Sequence, residues 1–83
     1  MKIIIYSTPT CVYCKKAKAF LNAHNIPYQE KDVATDDAAR AEMIQKSGQL
    51  GVPVIDIDNQ IMVGFEEKTL AKLTGVGTST NSE

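Results

Sequence analysis

Tryptophan is absent from these 83 residues, histidine occurs once, cysteine twice and proline three times. Chains this short often lean on disulfides, a metal or a partner for stability. Here hydrophobic residues make up 43% and charged residues 23%. That is enough apolar material for one core without such a staple, and the wrong balance for a disordered chain. An excess of one charge is also lacking. The net charge is −1, so nothing points to nucleic acid or an anionic membrane as a partner. Long apolar runs are missing as well. Ile3-Ile4-Ile5 after a single Lys2 is too short for a signal-peptide core or a membrane span. The cytoplasm is the expected compartment. Its reducing conditions make a close cysteine pair catalytic or metal-binding rather than a permanent cross-link.

What is present fits one domain, residues 1–74. Residues 75–83 are small, polar and aperiodic, and are expected to form a flexible tail. Residues 2–6 are a β-branched run closed by Ser7-Thr8-Pro9-Thr10, the pattern of a strand buried on both faces. From Cys11 to about His24, the residues Val12, Ala17, Phe20, Leu21 and His24 recur at helical spacing. Asn25 and Pro27 end that helix. Residues 28–33 alternate loosely and read as a second strand. Thr35-Asp36-Asp37 offers a capping hydroxyl followed by acidic residues at the positive end of a helix dipole. The helix over 38–47 has Ala41, Met43 and Ile44 for a core face, and Gly48 stops it. Residues 54–57 and 60–63 read as a hairpin across Asp58-Asn59, without the glycine such turns favour. Residues 66–73 form a last helix with Leu70 and Leu73 facing inward. The order βαβαββα is that of an α/β fold whose first two strands are parallel. Lys15, Lys16 and Lys18 cluster after the cysteines, and Glu30, Asp32, Asp36, Asp37 and Glu42 lie mid-chain. They read either as solvated faces or as an electrostatic device.

The chemistry centres on Cys11-Val12-Tyr13-Cys14. The motif follows a buried strand and opens a helix inside a βαβ unit, the setting in which Cys-x-x-Cys reads as a redox pair. Free backbone N–H groups and the dipole at a helix start stabilise an anion, and the thiolate is the nucleophile. Lys15 and Lys16 add positive potential. Position i+3 lies nearly above position i on a helix, so Cys14 can reach Cys11. Cys11, nearer the end, is expected to attack. Cys14, one turn in and with the higher pKa, is expected to resolve.

Other readings of the pair are weaker. A structural disulfide closing so short a loop constrains the unfolded chain little. Zinc needs about four ligands. The one other soft candidate, His24, stands about 20 Å from Cys11 by helical rise. An inert buried pair ignores the placement at a helix start. Two further features stand out. In Gly51-Val52-Pro53, a cis bond before Pro53 would leave Val52 with free backbone groups for an extended substrate. Residue type alone favours trans, since only about 5–6% of such bonds are cis. In Gly64-Phe65-Glu66, the glycine allows close backbone approach. Phe65 also suits the core, and Glu66 and Glu67 suit a helix start. Tyr13 reads as a surface aromatic or as one wall of a substrate groove.

Together these residues resemble the glutaredoxin family of the thioredoxin fold, over residues 2–73. The likeness is strongest to short bacterial glutaredoxin-like proteins and NrdH-type redoxins. It implies a thioredoxin-like fold with a four-stranded mixed sheet and three helices. It also implies a thiol–disulfide oxidoreductase working through a Cys11–Cys14 redox disulfide. Pro53 would be cis and lie against the cysteines. The Val52 backbone would pair with the cysteinyl part of glutathione, Tyr13 would border its groove, and Gly64-Phe65-Glu66 would hold its γ-glutamyl end. Four departures matter. Val12 replaces the usual proline, and Gly51 replaces a common threonine. Tyr13 stands where NrdH-type redoxins carry glutamine. Phe65 replaces a second glycine, as it does in NrdH-type redoxins. Tyr13 thus points toward glutathione and Phe65 away from it.

The resemblance implies no bound cofactor or metal, with glutathione as co-substrate. The implied partners are disulfide-containing proteins, with glutathione or a thioredoxin-reductase-type flavoenzyme as electron source. A monomer is expected. The alternatives are an NrdH-type electron donor re-reduced by thioredoxin reductase, and a dimeric iron–sulfur glutaredoxin. The latter would be ligated by Cys11 of each chain and two external thiols.

Overall fold

A computed structural model describes residues 2–75. The tail expected at 75–83 lies, beyond Gly75, outside the described residues. The chain runs β1 (Ile3–Ser7), α1 (Val12–Ala23), β2 (Gln29–Asp32), α2 (Asp37–Ser47), β3 (Val54–Ile57), β4 (Gln60–Val63) and α3 (Glu67–Thr74). Among the described residues the strands form one mixed sheet in the order β2-β1-β3-β4. β1 pairs parallel with β2 and antiparallel with β3, and β3 pairs antiparallel with β4. The crossover helix α1 makes the parallel pairing of β1 and β2 possible.

Side chains alternate across a strand, so β1 feeds two cores. Ile3 and Ile5 meet Ala17 and Leu21 of α1, Ile55 and Ile57 of β3, and Leu70 of α3. Ile4 and Tyr6 meet Ala39 and Met43 of α2 and Val54 of β3. Helices thus cover both faces, and every residue of β1 and β3 is buried. The Asp58-Asn59 turn works without glycine because both residues accept positive φ, +49° and +72°. That is the geometry a tight hairpin needs, and Asp and Asn are among the few side chains that tolerate it.

Three expectations are corrected in detail. The cap of α2 is Asp36, whose carboxylate accepts the Ala39 N–H at 3.0 Å; Thr35 lies one residue too early. The buried face of α2 is Ala39 and Met43, while Ala41 and Ile44 are exposed. The four-residue step from Ala39 to Met43 fits the helical period, which turns Ala41 away. Val12, counted in the helical spacing of α1, is 61% exposed. As the first residue of the helix it projects beyond the layer below, and Cys14 takes the inward position with Ala17 and Leu21.

Candidate active site

β1 ends at Ser7 on the sheet's central strand, and a turn carries the chain into α1. The Cys11 N–H donates to the Thr8 carbonyl at 3.3 Å. Cys11 is the N-cap of α1, with extended backbone (φ −82°, ψ 115°). Its Sγ accepts the Cys14 backbone N–H at 3.1 Å. That is the role an Asp or Ser oxygen plays at an ordinary helix start. Both cysteines are free thiols. The helix start favours negative charge on such an acceptor.

The two thiols differ in surroundings. Cys11 is half-buried and Cys14 is fully buried. The Cys14 thiol is pushed up to about 12. Burial is the main cause and the adjoining Cys11 sulfur adds to it, while the Thr8 backbone and the Lys18 charge oppose. The expected contrast between an outer and an inner sulfur therefore exists in the exposures, and Cys14 is strongly held as a thiol.

The lysine cluster divides. Lys15 and Lys16 are exposed, and the Lys16 ammonium lies 5.0 Å from the centre of the Tyr13 ring. Tyr13 is 58% exposed, a surface aromatic beside the cysteines. Lys18, one turn beyond Cys14, ion-pairs with Glu30 of β2 at 2.7 Å. Glu30 also accepts the hydroxyl of buried Ser7 at 2.8 Å. These bonds hold the Glu30 carboxyl below its ordinary range, with Lys18 the larger cause. The mid-chain acids are thus partly paired, since Glu42 likewise bonds Lys31 at 2.7 Å.

The Val52–Pro53 peptide bond is cis, as the family resemblance implies and against the base rate. Pro53 is buried and half-buried Val52 packs on the α2-side core. The Pro53 carbonyl accepts the Gly64 N–H at 2.8 Å, which ties this loop to the end of β4. The N–H and C=O of Val52 make no hydrogen bond among the described residues. Gly64 has φ +84°, a left-handed turn that releases the chain from β4 toward α3. The Phe65 ring turns inward and packs on the core, 6.3 Å from the Phe20 ring. The Glu66 side chain is exposed and accepts the Thr69 hydroxyl at 2.7 Å. The structure brings Gly64 to Pro53 and Cys11 to Cys14 by direct bonds. Phe65 faces the interior.

Sequence reasoning missed Gln49, whose side-chain amide bonds both backbone groups of Gly51. It also missed the polar network under α2, where Lys46 bonds buried Asp56 at 2.7 Å and the Tyr6 hydroxyl at 2.9 Å. A charged residue within the apolar run of β3 was the available signal for Asp56. Among the described residues no three His, Cys, Asp or Glu side chains converge as a metal site. None of the described helices is long and apolar enough to cross a membrane.

Residues 3–62 match the model of the Glutaredoxin family. The chain is 51% identical over 71 residues to a glutaredoxin-like 8.6 kDa protein of the rubredoxin operon of Clostridium pasteurianum, covering 86% of this chain and 95% of that one. It is 41% identical over 63 residues to glutaredoxin 3 of Escherichia coli, covering 76% of each. Among solved structures it superposes on the glutaredoxin-like NrdH-redoxin of Escherichia coli with a TM-score of 0.77 and 25% identity. That match covers 88% of this chain and 95% of that one.

Proposed function

The chain belongs to the glutaredoxin family of thiol–disulfide oxidoreductases and has its thioredoxin-like α/β fold; on that premise we propose that it reduces protein or glutathione mixed disulfides through Cys11 and Cys14. The observation that carries this reading is the N-cap geometry. The Cys11 sulfur receives a backbone N–H at the helix start, and the Cys14 thiol is buried one turn below. The Cys11 thiolate attacks one sulfur of the substrate disulfide. A mixed disulfide forms and the first substrate thiolate leaves, taking a proton from solvent. Cys14 then attacks the Cys11 sulfur. The Cys11–Cys14 disulfide forms, and the second substrate thiol leaves with the proton that Cys14 gives up. Two electrons pass to the substrate, and an external thiol donor restores the pair.

The free N–H and C=O of Val52 support a role in pairing with an extended substrate. Exposed Tyr13 supports a role at the groove wall. Gly64 and Glu66 remain candidates for the far end of a glutathione-like ligand through their backbone. Phe65 supports that end from beneath, through the core. The protein acts in the cytoplasm as a monomer of one domain, residues 1–74, with no bound cofactor. Its electron source is glutathione or a thioredoxin-reductase-type flavoenzyme.

The test follows NADPH oxidation with a disulfide substrate. One arm uses glutathione with glutathione reductase, and the other uses thioredoxin reductase. At least one donor supports turnover in the parent, and neither supports it in Cys11→Ser. Turnover by Cys11→Ser equal to the parent overturns the assignment. The faster donor identifies the electron source.

A further inference from the structure

The residues on either side of Val52 have their backbone groups closed off, and on one side a side chain does it. Gln49 folds its amide back onto the loop. Its Oε1 accepts the Gly51 N–H at 2.6 Å, and its Nε2 donates to the Gly51 carbonyl at 3.1 Å. Behind it stands Ser47, whose Oγ lies 3.4 Å from both the Gln49 backbone N and its Nε2. The Ser47 hydroxyl in turn bonds the Met43 carbonyl at 2.7 Å, at the end of α2. On the other side Pro53 has no N–H, and its carbonyl is taken by Gly64.

We propose that Gln49 is the positioning residue of this loop: its amide closes Gly51 to an incoming chain and restricts backbone pairing to Val52. This rests on the reading that Val52 meets the substrate. A primary amide suits the task because it offers a donor and an acceptor in one plane, as the peptide group of a neighbouring strand would. Glycine at 51 is the other half of the device. A Cβ there would stand 2.6 Å from Gln49 Oε1. Gly51 is not among the glycines with positive φ, so a side chain there meets no backbone strain and acts by pushing aside the flexible end of Gln49. A side chain at 51 therefore displaces the Gln49 amide.

Two readouts on the full chain test this. The first is amide hydrogen exchange at Gly51. Gln49→Ala and Gly51→Ala should each speed exchange at residue 51 by about threefold to tenfold, the worth of one neutral hydrogen bond. The Val52 amide should exchange fast in every variant. The second is single-turnover reduction of a glutathionylated peptide by prereduced protein. Either substitution should raise the half-saturating peptide concentration by a similar factor, with the limiting rate changed less than twofold. The double variant should be no worse than the weaker single one, because both break the same contact. Unchanged exchange in Gln49→Ala overturns the clamp while leaving the redox function standing. Additive effects overturn the coupling of Gln49 to Gly51, and an unmoved half-saturation overturns the pairing role. A parent that reduces no peptide overturns the function itself, and the pairing role with it.

Discussion

Burial holds Cys14 as a thiol, which suits the late, resolving role proposed for it. In the proposed mechanism Cys11 meets the incoming disulfide, and Cys14, whose backbone N–H already contacts the Cys11 sulfur at 3.1 Å, lies in reach once Cys11 is bonded to substrate. Cys14→Ser should therefore make the first attack and stop there. Mixing with a glutathionylated peptide should leave a stable covalent adduct on Cys11, read by intact mass under non-reducing conditions. A second residue-scale consequence concerns Lys46. Its ammonium loses hydration through burial, but the bonds to Asp56 and Tyr6 outweigh that and hold its pKa above the ordinary value. Removing one partner of a buried pair costs about 3–5 kcal/mol. Lys46 keeps 27% exposure against 5% for Asp56, so Lys46→Met should fall at the low end of that range in urea unfolding. Neither Gln49 nor the Lys46–Asp56 pair was legible from the sequence. Lys46 meets Asp56 and Tyr6 only through the tertiary path, which leaves no periodic trace, and the Gln49 bond to Gly51, though local, depends on a side-chain rotamer that residue type does not fix. The cysteine pair was legible because its chemistry depends on three-residue spacing and on a strand-to-helix step, both of which are local.

At the scale of elements, the cap of α2 separates two adjacent residues. Asp36→Ala removes the acceptor for the Ala39 N–H and should destabilise the fold by about 0.5–2 kcal/mol. Thr35→Ala should change it by less than about 0.5 kcal/mol, as for an ordinary surface substitution. Urea midpoints of the two variants decide between the caps. The elements themselves were readable. The apolar run of β1, the period of α1, and the turn residues between β3 and β4 each carry their own signal. The faces of α2 were harder to read. That helix is mostly polar and alanine-rich, so its period selects no stripe clearly, and contact with Tyr6 and Val54 settles which side is buried.

At the scale of the whole molecule, charged contacts tie edge strand β2 and helix α2 to the sheet. Glu42 bonds Lys31 and the Tyr6 hydroxyl, and these hold its carboxyl down from 4.5 to about 2, with Lys31 the larger cause. Glu30 is lowered in the same direction by Lys18 and Ser7. A carboxylate with a depressed pKa in the folded state stabilises the fold fully above its unfolded pKa. That contribution is lost as pH falls toward the folded value. Stability should thus hold from neutral pH down to about 5 and decline between about pH 4.5 and 2. Glu42→Gln should flatten that decline when urea midpoints are plotted against pH. A profile as steep as the parent's would place the acid sensitivity elsewhere.

At the Val52 loop the contact proposed is with main chain alone. A peptide group is the same in every polypeptide, so a partner held at Val52, as proposed, would be recognised without being identified. Direction and spacing are read, while the side chains pass unread. Such a grip would accept a varied clientele, and any preference among clients would come from other surfaces, with Val12 and Tyr13 exposed beside Cys11.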